Sequence, residues 1–437
     1  MLSFLLDFRL ANETALRHLY SVIFTLAIPF ILLRLLWRGS RAPAYFKRWD
    51  ERFGIKPAPS SHKPVIWIHA VSMGEVEAAR PLVDSLQTQY PQHQILITTM
   101  TPTGSARVLS LYGNTLLHCY LPYDLPFAVT RFLRSANPVV GIIMETELWP
   151  NLIHYASQQS VPLVLANARL SARSAAGYQR VAALSQTMLQ QLSLIAAQSQ
   201  DDRKRLIALG ADKDKVHAVG NLKFEISLPA SLSEEAEALR TLWGNRPVFI
   251  AASTHEGEDE IILNASRRIR AEFPDLLLIL VPRHPERFDK VAALSQRSGF
   301  KILRRSEQGM CTREIQVLVV DTMGELPLFY GTADIAFVGG SLVPRGGHNL
   351  LEPAALGRPV IIGPHYFNFN EISRQFLAAN AAIEISNSES LADTVIELFK
   401  SPQKRADMGQ AGQQLIHQSQ GAGQRLLNLI KRHIDVR

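Results

Sequence analysis

Along most of the chain, short uninterrupted apolar runs alternate with stretches in which apolar residues recur at helical spacing. In the first half the runs are residues 65–71, 94–100, 116–121, 139–144, 162–166, 194–198 and 216–219. In the second half they are 248–252, 276–281, 316–320, 335–338, 359–362 and 382–385. Strands apolar at every position, rather than at every second one, are covered on both faces, and helices between them imply parallel pairing. The two series predict an α/β protein with two doubly wound, Rossmann-like parallel-sheet domains facing across a cleft. The turn-rich stretch beginning Leu228-Pro229 separates them. The expected domains are residues 41–226 and 227–420. Residues 1–40 precede them, and residues 421–437 are expected to form a last helix packing back across the cleft.

The N-terminal segment departs from this pattern. Leu19 to Leu33 carries no charge, and counting through Trp37, with Arg34 snorkelling, gives 19 residues. That just reaches the ~20 residues a membrane-spanning helix needs. Arg38, Arg41, Lys47 and Arg48 follow, which sets the body on the cytoplasmic side. Pro29 interrupts the stretch, so a helix lying in the membrane plane fits as well. The formal charge of +7 belongs mainly here: residues 1–56 hold nine Lys/Arg against four Asp/Glu, and the rest 37 against 35. The body has no basic-aromatic strip, so nucleic acid is not an expected partner. Cys119 and Cys311 stand far apart, which implies neither a disulfide framework nor a zinc site.

Candidate chemistry sits where predicted strands turn into helices, the edge at which open α/β sheets bind ligands. His69-Ala-Val-Ser-Met-Gly-Glu75 is one such turn. Glu75 there is placed to take a proton from a hydroxyl, and Ser72 with Glu75 equally has the spacing of a capping box. Glu145 and Glu147 follow the run 139–144, and two carboxylates ending a buried strand must be paired or used. Glu147 also suits a helix start. Lys223, at the end of the first series, can neutralise an anion or be a solvated linker residue. In the second series Arg283 follows Pro282 at a strand end, where a guanidinium suits a phosphate. Met323-Gly324-Glu325 forms another strand-to-helix turn. Gly339-Gly340-Ser341 and Gly346-Gly347 precede Asn349-Leu350-Leu351-Glu352, and such glycines are expected to make an anion cradle of backbone N–H groups. Asn349 and Glu352 have capping-box spacing too. Asp212-Lys-Asp214 and Glu258-Asp-Glu260 have the spacing of metal-holding acids, though the first reads as a solvated turn. No Walker A or G-x-G-x-x-G opens a helix, which argues against an ATPase or a dehydrogenase.

Taken in series, APAYFKRW, HAVSMGE, TTMTPTGS, LPYDLP, METELWPNL, ANARLSARSAAGY, STHEGE, LVPRHPERF, DTMGELPLFYG and FVGGSLVPRGGHNLLEPAALGRPV closely resemble the Kdo transferases of lipopolysaccharide biosynthesis. The resemblance spans essentially the whole chain. It implies a GT-B fold, an N-terminal domain for a lipid A precursor and a C-terminal domain for CMP-Kdo, at the bacterial inner membrane. The family's catalytic base falls on Glu75, its transition-state-stabilising carboxylate on Glu145, and its other assisting group on Lys223. CMP contacts fall on Pro282, Arg283, Met323, Gly324, Glu325, Asn349, Leu350, Leu351 and Glu352. No cofactor and no metal are implied, since one phosphate can be held by Arg283 and helix N-termini. The expected reaction is a single inverting displacement. A GT-B transferase using a UDP-sugar, or a membrane-tethered module that binds glycolipid without turnover, are the competing expectations.

Overall fold

The computed structural model describes residues 15–226, 228–229 and 231–435. The expected anchor segment before residue 15, and residue 227 at the expected domain boundary, lie outside them. The chain divides into two compact units, Met1–Glu225 with Gln420–Arg437, and Ile226–Ser419.

The first unit is built on β1 (Val65–His69), β2 (Gln94–Thr99), β3 (Leu117–Tyr120), β4 (Pro138–Met144), β5 (Leu163–Ala168), β6 (Leu194–Ala197) and β7 (Val216–Ala218). They form one parallel sheet ordered β3-β2-β1-β4-β5-β6-β7. The second unit holds β8 (Val248–Thr254), β9 (Leu277–Pro282), β10 (Ile302–Arg304), β11 (Val317–Val319), β12 (Ile335–Val338), β13 (Val360–Ile362) and β14 (Ala382–Glu384). Its parallel sheet is ordered β10-β11-β9-β8-β12-β13-β14. Each sheet starts in its middle and winds outward both ways. The order therefore reverses between β1 and β4 in one unit and between β8 and β12 in the other, and such reversals open a crevice at the strands' carboxyl ends.

The apolar runs anticipate every strand except β10. That strand is half-buried, lies at a sheet edge and pairs only with β11, so its Ile302-Leu303-Arg304 carries no continuous apolar signature. Elsewhere burial on both faces explains the composition. In β1, Trp67 points into a core shared with Leu96, Phe132, Ile143 and Leu152. Its neighbours Ile66 and Ile68 face the other core with Val140, Ile142 and the helix Ala422–Ile434, as the twofold alternation of a strand requires. Leu426, Leu427 and Ile430 of that helix are essentially inaccessible to solvent. The Arg425 Nε donates to the Val219 carbonyl at 2.7 Å and the Gly423 N–H to Glu225 at 3.1 Å, which pins the helix start beside the end of β7.

Two helices, Ala15–Leu26 and Ile28–Arg41, meet at a 47° bend. Among the described residues no single helix is long and apolar enough to cross a membrane, although this bent pair together has the length and composition. One face of the first helix is tied down. Arg17 and Ser21 both donate to the Asn151 Oδ1, at 3.2 and 3.0 Å. Asn151 and Leu152 in turn donate their backbone N–H groups to Asp124 at 2.9 and 2.8 Å, so this carboxylate serves the start of the helix Pro150–Gln158. The opposite surface leaves Leu19, Val22, Ile23, Leu26, Phe30, Leu33 and Trp37 about half or more exposed.

Because Leu426 is buried in the first unit's core, Leu426→Ala should destabilise that unit by about 2–5 kcal/mol. A denaturant titration with separate probes in the two units measures this. A loss below about 1 kcal/mol would mean that the last helix is not part of that core.

Candidate active site

In the first unit the site grows from the switch point between β1 and β4. After β1 the chain passes through Ala70, Val71 and Ser72 before the helix Met73–Gln89 begins. Two bonds from β2 and its turn hold this passage: Ala70 donates to the Thr98 carbonyl at 2.9 Å, and Met100 donates to the Val71 carbonyl at 3.0 Å. A Cβ on Gly104 would lie 3.2 Å from the Ser72 carbonyl carbon, so the glycine of the TPTGS stretch lets the next helix press against this turn.

Glu75 occupies the third position of its helix, yet no reciprocal capping box forms, because the Ser72 hydroxyl accepts no bond from the helix. Instead that hydroxyl donates to the Glu75 Oε1 at 3.0 Å, and the Val71 N–H donates to Oε2 at 2.9 Å. Burial pushes the carboxyl up to about 7, against the lowering by the Val71 N–H and with a further rise from the negative charge of Glu145. Desolvation thus outweighs the stabilising end of the helix here.

Glu145 is the first residue beyond β4 and has φ +56°, a left-handed conformation that costs a non-glycine residue about 1–3 kcal/mol. The Glu145 N–H is held by the Ala166 carbonyl at 2.8 Å. The side chain is ion-paired to the Lys223 Nζ at 3.0 Å, both groups remaining partly solvated. Glu147 accepts from the Trp149 Nε1 at 2.8 Å, and burial raises its pKa. Lys223 sits in the short turn Leu222–Phe224, which is anchored by the fully buried Asn167: its Oδ1 accepts the Leu222 N–H at 3.0 Å. Glu75, Glu145, Glu147 and Lys223 therefore form one electrostatic group. Asn167 was not singled out in the sequence, where it lies one residue past the predicted run 162–166, although β5 extends over it.

In the second unit the switch point lies between β8 and β12. Pro282 ends β9 and is buried, while Arg283 donates its N–H to the Thr254 carbonyl at 3.0 Å and leaves its side chain half-buried. Met323 and Gly324 form an exposed turn, with Gly324 at φ +90°. The Glu325 carboxylate is already committed: Arg305 donates to it at 2.8 Å and holds it below the usual carboxylate range, burial opposing and the Thr322 hydroxyl adding to the effect. Leu350 and Leu351 bury their side chains, so only their backbone is available to a ligand. Asn349 and Glu352 form no reciprocal capping box. The Asn349 Oδ1 accepts the Leu351 N–H at 3.1 Å, and its Nδ2 donates to Glu352 at 3.0 Å.

The glycine cradle expected at Gly339–Ser341 is taken by the protein itself. Glu258, fully buried, accepts from the N–H groups of Gly340 (2.7 Å), Ser341 (3.1 Å), Leu342 (2.9 Å) and His255 (2.8 Å). Asp259 is likewise consumed, by Thr254 at 2.7 Å and by an ion pair with Arg287. Asp212 and Asp214 form a turn closed by the Asp214 N–H on the Asp212 Oδ1. No group of three or more His, Cys, Asp or Glu suited to a metal ion occurs among the described residues. Above the Gly340 turn lie three histidines that the sequence pattern left unremarked, although STHEGE and LVPRHPERF each place one just past a strand. His255 and His348 approach Nε2 to Nε2 at 2.8 Å, and the His284 ring centroid is 5.3 Å from that of His255.

Residues 47–226 match the family described as 3-deoxy-D-manno-octulosonic-acid transferase (kdotransferase), and residues 245–415 match glycosyl transferases group 1. A 3-deoxy-D-manno-octulosonic acid transferase of Haemophilus influenzae is 46% identical, over 96% of this chain and 99% of its own. One from Bordetella pertussis is 38% identical, over 94% and 98%. In fold alone, the UDP-GlcNAc 2-epimerase of Neisseria meningitidis bound to UDP-GlcNAc superposes with a TM-score of 0.56, covering 84% of this chain and 100% of its own at 15% identity. The two parallel-sheet units are thus a GT-B-like glycosyltransferase fold. With near-complete coverage of relatives that share their name, the chain belongs to the 3-deoxy-D-manno-octulosonic acid transferases, a family of glycosyltransferases.

Proposed function

We propose that the chain transfers Kdo from CMP-Kdo to a lipid A precursor in lipopolysaccharide biosynthesis, by a single displacement that inverts the anomeric centre. The observation that carries this reading is a buried carboxylate with its pKa near neutrality, Glu75, beside a second carboxylate that a lysine compensates. A general base works best when its pKa lies near the working pH. Glu75 takes the proton of the acceptor hydroxyl while the hydroxyl oxygen bonds to the anomeric carbon. The bond from that carbon to the phosphate oxygen breaks, and CMP leaves with the electron pair. Glu145 faces the positive charge that develops on the sugar, and its ion pair with Lys223 holds it in place. Pro282-Arg283, Met323-Gly324-Glu325 and Asn349–Glu352 are assigned to CMP, with Arg283 meeting its phosphate.

Support for a membrane-borne acceptor comes from the N-terminal helices. Their exposed apolar side chains are followed by Arg34, Arg38 and Arg41, the pattern of a segment bound to an anionic lipid surface. The docked face of the first helix, through Arg17 and Ser21, favours lying along the surface over crossing it. The assigned location is the cytoplasmic face of the bacterial inner membrane.

The direct test is the mass of the lipid after incubation with freshly generated CMP-Kdo and a tetraacylated lipid A precursor in anionic vesicles. A gain of one or two Kdo units supports the reading, and no gain with intact donor and folded protein rejects it. Flotation of the chain with those vesicles tests the membrane assignment in the same samples.

Glu75→Gln should lower turnover by about 10²–10⁴-fold while CMP binding stays close to wild type; joint loss of both would make Glu75 a structural cap. In the wild type, turnover should rise with pH through about 7 as Glu75 ionises. Stability runs the other way. The folded carboxyl holds a proton that the unfolded chain releases near its ordinary value, so this group's contribution is full below that value and lost as pH rises through about 7. Glu75→Gln should therefore gain thermal stability over wild type between pH 5 and 8. Lys223→Met, by leaving Glu145 uncompensated, should move the rising limb of the pH–rate profile upward. An unmoved limb would detach Lys223 and Glu145 from the base.

A further inference from the structure

The histidines at the second unit's switch point sit beside two arginines, Arg283 and Arg345, whose guanidinium groups no described side chain pairs. The His255 and His348 ring planes lie within 7° of each other with centroids 5.1 Å apart. With the Nε2 atoms 2.8 Å apart, the rings meet end to end and share one proton. Such a pair carries a net charge of zero or plus one, never plus two, because only one proton fits between the nitrogens. The pair rests on Gly340, where a Cβ would come within 2.9 Å of the His348 ring and where φ is +68°, so the close seat demands glycine.

Charged and titratable groups reach this pair from each neighbouring segment. Arg283, His284, Glu286 and Arg287 come from the turn after β9, Arg345 from the loop after β12, and Glu256, Glu258 and Asp259 from the segment of His255 itself. Most are already committed. Glu258 is bound by four backbone N–H groups, and Asp259 is paired with Arg287. Among the described residues, the guanidinium groups of Arg283 and Arg345 have no hydrogen-bond or ion-pair partner. Yet the backbone around Arg345 is fastened by Asn368, whose Nδ2 donates to the Arg345 carbonyl at 3.0 Å and whose N–H donates to the Gly346 carbonyl at 2.9 Å. Two unpaired guanidiniums, one half-buried and one exposed, can give charge-assisted bonds to an anion from outside.

A nucleoside monophosphate sugar whose sugar is itself an acid brings two anions, and Arg283 is assigned to the phosphate. We propose that Arg345 and the His255–His348 pair form a subsite for the carboxylate of the transferred sugar acid. The inference rests on the donor assigned above and deepens it, since this subsite is what separates an acidic sugar from a neutral one. Without a ligand, burial and the neighbouring cations keep the pair uncharged, with His255 down to about 4 and His348 down to about 3. When the carboxylate arrives its charge offsets those cations, the pair takes up one proton, and both Nδ1 atoms become donors. Donor binding is then coupled to proton uptake.

The ionisations of the donor's phosphodiester and carboxylate lie well below pH 6, so the pH dependence of its KM from 6 to 8.5 reports groups on the enzyme. The wild-type donor KM should rise with pH, by up to about tenfold per unit. His348→Gln should raise the donor KM at pH 6.5 by about tenfold or more and flatten its pH dependence, as expected for a lost charge-assisted bond. The inhibition constant of CMP, which lacks the sugar acid, should change less than about twofold, the range of an untouched site. Arg345→Gln, at an exposed position with no partner to lose, should raise the donor KM in the same way and keeps the test sound if His348→Gln unfolds. An equal rise in the CMP inhibition constant would overturn the proposal by giving the cluster to the nucleotide. A donor KM unaffected by both variants would overturn it outright. Failure of CMP to inhibit the wild type is a different result, visible without any variant, and would reject the donor assignment itself.

Discussion

A parallel sheet covered on both faces can present chemistry only at its ends, and everything specific to this protein follows from that constraint. The strands β1, β4, β8 and β12 are buried along almost their whole length. Polar side chains are admitted where the chain leaves the sheet, at the switch points. Burial there is still deep enough to matter electrostatically. Glu75 is only 8% exposed and Glu258 not at all. Each carboxylate at such an edge must find backbone N–H groups, a cation or a proton, and the two units resolve the demand differently.

In the first unit the answer is a shared charge. Lys223 pairs with Glu145, and burial, with added repulsion from Glu145 and Glu147, leaves Glu75 holding its proton near neutrality. The left-handed backbone at Glu145 is part of this arrangement, since a strained residue at the end of a buried strand persists only where its surroundings over-determine it. The Ala166 carbonyl on one side and the ion pair with Lys223 on the other do so. In the second unit the answer is the reverse. Glu258 is spent on the loop after β12 and on the His255 N–H, and among the described residues the guanidiniums of Arg283 and Arg345 are left unpaired beside a neutral histidine pair. One buried carboxylate thus shapes the cationic surface above it: by fastening Gly340, Ser341 and Leu342 it fixes the seat on which His348 and His255 meet.

Much of this was legible in the chain. The continuous apolar runs marked thirteen of the fourteen strands found among the described residues, because full burial leaves no room for polar residues. The missed strand, β10, is an edge strand that needs no such run. Glu75, Glu145 and Arg283 stood out because they come one to four residues after apolar runs, and position near a strand end is readable from sequence. The Gly339-Gly340-Ser341 turn was expected to cradle an anionic ligand, and Glu258, more than eighty residues earlier, takes its N–H groups instead. Periodicity carries no information about such distant partners. The same limit hid Asn167, whose role is a single bond to Leu222, 55 residues on.

What the sequence alone determined is the alternation that makes two parallel α/β units and the list of polar groups at their strand ends. These are local properties, written in runs of side chains and in the turn residues between them. What only the tertiary structure decided is which of those groups are consumed and which are left over. Glu258, Asp259 and Glu325 are satisfied, whereas Glu75 is held near its point of ionisation and Arg345 has no partner among the described residues. That division depends on distances between residues far apart in the chain and on how much water reaches them, neither of which a linear pattern records.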